Sequence, residues 1–256
     1  MGNTFGKLAS VVMCVNNSEL FINEAIDSIL NQTFVDFDFI IVENCSTDRS
    51  LDIILSYKDI RIKLYRTPIR NLSYNLNFGL LQADSKYIVR MDSDDISHSK
   101  RLEKQIEYLE NNPDVAIVGS AIRIINGKNS DTKIITLPLE NSAIRRRLPY
   151  KIAICHPSVT IRRDILLSYN GYEQTRYCQD IELWLRMARN PGVKFANLKD
   201  VLLDYRIHDF QSKSTGEAYY NNISILVKEA LIQKRMSLLL AAFLKLIASR
   251  VKIRSF

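Results

Sequence analysis

Tyr87-Ile88-Val89-Arg90-Met91, followed at once by Asp92-Ser93-Asp94-Asp95, is the stretch on which the reading of this chain turns. The first five residues have the apolar and aromatic character of a short buried strand. Three carboxylates crowded at the end of such a strand repel one another and lose hydration. A hard divalent cation relieves that repulsion. Aspartate oxygens suit Mg²⁺ or Mn²⁺, which keep coordination positions open for phosphates. Taken alone, the tetrad also reads as a polar turn in which Asp95 or Ser97 caps a following helix.

Upstream, apolar runs at residues 8–15, 39–42, 62–65 and 87–91 alternate with segments of helical spacing at 20–30, 50–57 and 73–83. This βαβαβαβ order predicts an α/β fold, with a mostly parallel central sheet flanked by helices. Ligands of such sheets bind beyond the carboxyl ends of the strands. Asn16-Asn17, Glu43-Asn44 and the Asp92 tetrad all stand at such ends and are expected to line one crevice. The eight glycines form neither G-x-G-x-x-G nor G-x-x-x-x-G-K-[ST], which argues against dinucleotide oxidoreductases and P-loop enzymes.

Further motifs follow in a fixed order. They are Ser10-Val11-Val12-Met13-Cys14-Val15-Asn16-Asn17, Ile40-Ile41-Val42-Glu43-Asn44-Cys45-Ser46-Thr47-Asp48, Leu76-Asn77-Phe78-Gly79-Leu80 and Arg90-Met91-Asp92-Ser93-Asp94-Asp95-Ile96. Beyond these come His156-Pro157-Ser158, Gly171-Tyr172, Asp180-Ile181-Glu182-Leu183-Trp184 and Tyr205-Arg206-Ile207-His208. As an ordered set over residues 8–215, they resemble family 2 glycosyltransferases of the GT-A fold, a Rossmann-like fold for nucleotide-diphospho-sugar transfer. The size and the Asp92 region are similar to those of bacterial O-antigen and capsule enzymes.

The resemblance implies a catalytic domain over residues 1–215 and a role for each matching residue. Val15 and Asn17 would border the base pocket, and Glu43 would accept a hydrogen bond from the base. A carboxylate there suits uracil or thymine, and so a UDP- or dTDP-sugar. Asp92 would contact the ribose or a metal-bound water, with Ser93 and Arg70 also on the nucleotide sugar. Asp94 would ligate Mn²⁺ or Mg²⁺, and His208 would complete the metal or diphosphate contacts. Asp180 would be the general base, while Asn77 would help to place the phosphates or their loop.

The implied reaction is inverting hexosyl transfer, with UDP-glucose or UDP-galactose favoured. The acceptor would be an undecaprenyl-diphosphate-linked saccharide, and the product a β-linkage. A non-catalytic nucleotide- and metal-binding module of the same fold is the alternative, against which Asp92, Asp94 and Asp180 speak.

Several residues admit a second use. Asp180 can cap the amphipathic segment that follows it. His208 and His156 can serve as packed, hydrogen-bonded histidines, and Trp184 is in phase with Leu183 and Met187 as core. The chain also departs from the family pattern. Cys14 replaces a usual proline, Asn16 a common tyrosine, and Cys45 and Asn71 usual glycines. Asn71 is expected to take the left-handed backbone conformation that Asn tolerates.

At 256 residues the chain is long enough for one sizeable domain with an appendage. Its four cysteines show no C-x-x-C spacing, and residues 1–7 lack the pattern of a signal peptide. A cytoplasmic location is expected. Six of the chain's net +7 charges reside in residues 225–256, which hold seven Lys/Arg and only Glu229 as an acid. That tail offers two phenylalanines and no base-reading pattern, so nucleic acid is not the expected partner.

Residues 236–248 form an apolar run of thirteen, interrupted by Lys245. Such a helix covers ~20 Å, short of the ~30 Å hydrocarbon core. Drawn as one helix, Ile232, Met236, Leu239, Leu240, Phe243 and Ile247 share a face. Residues 216–256 are therefore expected to form a basic amphipathic segment at the inner membrane surface, with packing on the catalytic body as the other use.

Overall fold

In the computed structural model, residues 6–126, 133–208 and 216–253 are described. Strand β1 (Lys7–Val15), helix α1 (Ile22–Leu30), β2 (Phe37–Glu43), α2 (Ser50–Ser56), β3 (Ile62–Arg66), α3 (Leu72–Gln82) and β4 (Ser85–Asp92) form the expected alternation. No boundary moves by more than two residues. Side chains of β1 point alternately to the two faces of the sheet. Val11, Met13 and Val15 pack with Ile22, Ile26 and Ile29 of α1, whereas Val12 packs with Leu76 and Leu80 of α3. Gly79 lets α3 lie close on that face, since a Cβ there would come within 2.6 Å of Val12 Cγ1.

The second half supplies β5 (Ile96–Ser97), α4 (Arg101–Asn111), β6 (Val115–Asn126), β7 (Lys133–Ile135), α5 (Asn141–Arg147), β8 (Thr160–Arg162), α6 (Arg163–Ser168), α7 (Gln179–Met187) and β9 (Lys194–Ile207). The strand order is β3-β2-β1-β4-β8-β6-β9-β5, with β7 paired to β6. From β3 to β4 all pairs are parallel. Strand β8 then runs antiparallel to both β4 and β6, so the sheet is mixed beyond Asp92.

The chain leaves β1 on one side to build β2 and returns on the other to build β4. This makes the carboxyl end of β1 a topological switch point, where such sheets hold ligands. Register brings the ends together: Val15 lies opposite Glu43, and Cys14 opposite Asp92.

The tail differs from the single helix expected. It forms α8 (Gly216–Gln233) and α9 (Met236–Ile253), separated at Lys234, whose backbone is left-handed (φ 52°). Ile232 and Met236 therefore belong to different helices. The reason lies in the inner face: Ile225, Leu226, Ala230, Leu238, Ala241 and Ala242 are buried in the same cluster as Trp184 and Leu183 of α7. Glu229 of α8 is fully buried and holds Arg189 in two hydrogen bonds of 2.5 and 2.9 Å.

A continuous straight helix could not fold back over this core. Ending the chain after Arg235 strips α9 from it, and burial loss of this kind is expected to lower Tm on the order of 5–10 °C. Thermal unfolding of the truncated protein measures this; an unchanged Tm would make α9 a dispensable appendage. Among the described residues, no helix is long and apolar enough to cross a membrane.

Candidate active site

The turn after β1 and the turn after β2 are built into one another. Asn17 is left-handed (φ 53°), its N–H donates to Ser46 Oγ at 3.1 Å, and its Oδ1 accepts from Thr47 N–H at 2.8 Å. Asn16 Nδ2 donates to the Asn44 carbonyl at 2.6 Å, and the Asn44 N–H reaches the Val15 carbonyl at 2.9 Å. Cys45, in the place of a glycine, is left-handed (φ 59°), as that turn demands.

Val15 is fully buried, backbone and side chain alike, and its carbonyl accepts the Asn44 N–H, so it supports the turn from beneath. Both oxygens of Glu43 are engaged: Oε1 accepts from Ser46 N–H at 2.6 Å, and Oε2 pairs with Arg66 Nε at 3.2 Å. Arg66 is largely exposed, so it is the partner that can give way to a base N–H. Arg70 donates to the Cys45 carbonyl at 2.7 Å and thereby braces the same turn. Asn71 departs from the left-handed expectation. It is extended (φ −142°) and caps α3, accepting the Tyr74 N–H, because Asn satisfies a helix start as readily as a tight turn.

Strand β4 ends in the acidic tetrad. Asp92 is ion-paired with Arg90, whose guanidinium is buried beneath the site. Burial raises the Asp92 carboxyl pKa; the Arg90 charge opposes the rise and the Asp94 charge adds to it. Ser93 Oγ lies 2.6 Å from Ser18 Oγ, tying the tetrad to the turn after β1. Asp95 points inward, fully buried, and accepts the Arg206 N–H at 2.9 Å.

Asp94 Oδ2 lies 3.0 Å from His208 Nε2, just past the end of β9. Two ligands at about 2.1 Å from one octahedral ion stand ~3 Å apart at right angles, so this spacing fits a shared divalent cation. Carboxylate oxygens of Asp92, Asp94 and Asp95 fall within 4.8 Å of one another. Asp95 is fully buried, with Oδ1 on the Arg206 N–H, so Asp94 and His208 are the more accessible pair that would hold the ion, with Asp92 beside it.

Sequence reasoning assigned no role to Arg206, yet it assembles the site. Its Nε donates to the Asp94 carbonyl at 2.7 Å and its guanidinium pairs with Glu24 of α1 at 2.9 Å. The same guanidinium stacks over Phe21 at 4.7 Å, and Phe21 in turn contacts the His208 ring. An arginine two residues before a histidine, and so on the same side of an extended segment, was the available signal.

Asp180 occupies the first turn of α7, after Cys178, whose left-handed backbone (φ 62°) is costly for a non-glycine residue. Among protein atoms Asp180 is deeply set, yet it keeps an opening to solvent. Burial pushes its carboxyl above the usual aspartate range, against the pull of the helix-start N–H groups and of Arg90. Its charge adds to the rise of the Asp92 carboxyl.

Asn77 does not face the phosphates' expected place. It clamps the chain leading to α7, donating to the Tyr172 carbonyl and accepting the Tyr172 N–H, both at 2.8 Å. His156 is buried, 2.9 Å from Tyr172 Oη and edge-on to Trp184. Burial and the nearby Arg90 keep its imidazole well below its ordinary range, so it is neutral and structural. Trp184 is core, as expected.

Residues 10–169 match the model of glycosyl transferase family 2. The O-antigen biosynthesis glycosyltransferase WbnJ of Escherichia coli is 35% identical over 234 residues, covering 90% of this chain and 91% of that one. The E. coli UDP-Gal:alpha-D-GlcNAc-diphosphoundecaprenol beta-1,3-galactosyltransferase is 29% identical over 221 residues, covering 82% of this chain and 78% of its own. In fold, the chain superposes on S. aureus TarS in complex with UDP with a TM-score of 0.67 at 19% identity, covering 88% of this chain and 65% of TarS. The chain belongs to glycosyl transferase family 2 and has the GT-A fold.

Proposed function

We propose that this family 2 glycosyltransferase moves a hexose from a UDP-sugar to a lipid-diphosphate-linked saccharide, with inversion, in the assembly of an O-antigen or related surface polysaccharide. UDP-galactose and UDP-glucose are the first donors to test. One observation carries the reading: Asp94 and His208 meet at 3.0 Å at the carboxyl end of β4, beside the switch point of the sheet, where Asp92 also feels the Asp180 charge. The Asp94–His208 pair is suited to a cation on a diphosphate, and Asp180 to a hydroxyl proton. The names of the O-antigen and galactosyl relatives support the substrate class.

In the displacement, Asp180 takes the proton of the acceptor hydroxyl as that oxygen bonds to the anomeric carbon. The bond from this carbon to the phosphate oxygen breaks, and UDP leaves with the electron pair. The transition state has oxocarbenium character. Mn²⁺ or Mg²⁺, when bound, neutralises charge on the departing diphosphate. Asp94 and His208 would hold that cation, Asp92 and Ser93 would position the donor, and Asn77 and Arg206 fix the loops that carry these groups.

A panel of UDP- and dTDP-sugars assayed against synthetic lipid-diphosphate saccharides with Mn²⁺ tests the reading. No transfer across the panel would favour a binding module. Asp180 also sets a pH signature. A base must be ionised, and burial raises its pKa. Turnover is therefore expected to fall as pH drops through a value above the ~4 of free aspartate. A kcat profile still flat at pH 4 would remove Asp180 from the base role.

The outer face of the tail supports a peripheral place at the inner membrane surface. Leu231, Ile232, Met236, Leu240, Phe243, Leu244 and Ile247 are exposed there, beside Lys234 and Arg235. Each basic residue near an anionic surface contributes about 1 kcal/mol. Replacing Phe243 and Leu244 with Ser leaves the buried face in place and is expected to weaken sedimentation with anionic vesicles. Equal sedimentation would sink the membrane reading.

A further inference from the structure

Two residues near the end of β9 reach Asp94. Arg206 does so through its Nε, on the Asp94 carbonyl, and His208 through its Nε2, 3.0 Å from Asp94 Oδ2. They are held in different ways. Arg206 lies within the β6–β9 ladder, opposite Ile125, and is 1% exposed. The register of that ladder ends one residue later, at Ile207, so strand pairing does not carry His208. An imidazole that is to serve as a metal ligand needs its ring fixed by neighbours.

Phe21 is such a neighbour. Its ring lies against that of His208, with centroids 4.6 Å apart and planes at 38°. The Arg206 guanidinium stacks on the same ring, 4.7 Å from its centroid. One aromatic side chain thus spans both residues. Phe21 is half-buried and packs into neither of the two hydrophobic clusters of the core, so filling the interior does not account for it.

Phe21 is itself well placed to act as a platform. It stands at the start of α1, where its N–H and that of Ile22 both donate to the Ser18 carbonyl. Ser18 N–H donates to Ser50 Oγ at 2.8 Å, and Ser18 Oγ meets Ser93 Oγ at 2.6 Å. Glu24, about one turn along α1, pairs with Arg206 at 2.9 Å. The contacts close a ring: α1 holds Arg206, Arg206 holds the Asp94 backbone, and Phe21 holds the His208 imidazole beside the Asp94 carboxylate.

We infer that Phe21 is a positioning residue for the cation site, its ring keeping His208 Nε2 and Asp94 Oδ2 turned towards one Mn²⁺ or Mg²⁺. This rests on the assignment of Asp94 and His208 to the cation made above.

The test is calorimetric titration of the full chain with UDP, with and without Mn²⁺. Phe21→Leu should lower the ratio of the two affinities about tenfold, as losing a group that orients a metal-binding histidine does. Metal-free UDP affinity and Tm should stay near native. Phe21→Met, flexible enough to fill the same space, should show the same loss, and Phe21→Tyr, which keeps the ring, should show none. On a His208→Ala background Phe21→Leu should add nothing, because a positioning residue acts through the group it positions.

A native ratio in Phe21→Leu and Phe21→Met, beside a collapsed ratio in His208→Ala, would overturn the inference and leave the ligand assignment standing. A ratio unchanged by His208→Ala would sink the ligand assignment, and the inference with it. Equal losses with and without Mn²⁺, or a further loss in the double variant, would make Phe21 a part of the general scaffold and end its positioning role.

Discussion

Asp180→Asn is expected to slow transfer by on the order of 10²–10⁴-fold while UDP still binds within a few-fold of the native affinity. The asparagine keeps the shape and can still serve the first turn of α7, but it cannot accept the acceptor's proton. The groups proposed to hold the donor stand on other elements: Asp92, Ser93 and Asp94 at and just past the end of β4, His208 after β9, and Glu43 at the end of β2. The fold should not suffer. Burial disfavours the ionised carboxyl, which raises its folded pKa above the unfolded value. Charge at this position therefore costs stability once pH exceeds the unfolded pKa, and a neutral asparagine removes that cost. Single-turnover transfer, UDP titration and thermal unfolding together decide the matter. Turnover near the native rate would end the base assignment, and a large fall in Tm with weakened UDP binding would reveal a structural role instead.

Asp94→Ala is expected to abolish the part of UDP binding that depends on metal. Asp94 and His208 form the 3.0 Å pair that fits one cation, and the alternatives nearby are already engaged. Asp92 is paired with Arg90, and Asp95 is turned inward to Arg206. Neither can swing into the missing position without breaking a buried interaction, which is costly to leave uncompensated. Titrating UDP with and without Mn²⁺ reads the effect: the ratio of the two affinities should collapse towards one in the variant. A ratio preserved in Asp94→Ala would move the metal to other ligands and undo the site as drawn.

Much of the fold was legible because parallel βαβ units announce themselves locally. Buried strands give short apolar runs, their helices give a period near 3.6, and both signals survive up to Asp92. Beyond it the pattern weakens, since β5, β7 and β8 are only two or three residues long. Strands that short are defined by their neighbours. Sequence periodicity likewise joined the tail into one amphipathic face, because it cannot register a backbone that reverses at Lys234. The salt bridge of buried Glu229 with Arg189 was invisible for the same reason: the two are forty residues apart, one in α8 and the other in the turn after α7.

The sequence by itself determined the alternation of the first four strands, the placing of polar motifs at their carboxyl ends, and the resemblance that named Asp94, His208 and Asp180. These are local patterns or ordered motifs, and a linear reading reaches them. Only the tertiary structure decided which groups meet. It brought His208 to Asp94 across 114 residues, set Arg206 as the tie between β9, the acidic tetrad and α1, and turned Asn77 from the phosphates to the Tyr172 backbone. It also folded the tail back so that its inner face became core. Such meetings depend on sheet order and on the burial of each helix's apolar face, and these free energies belong to the packed chain as a whole rather than to any segment of it.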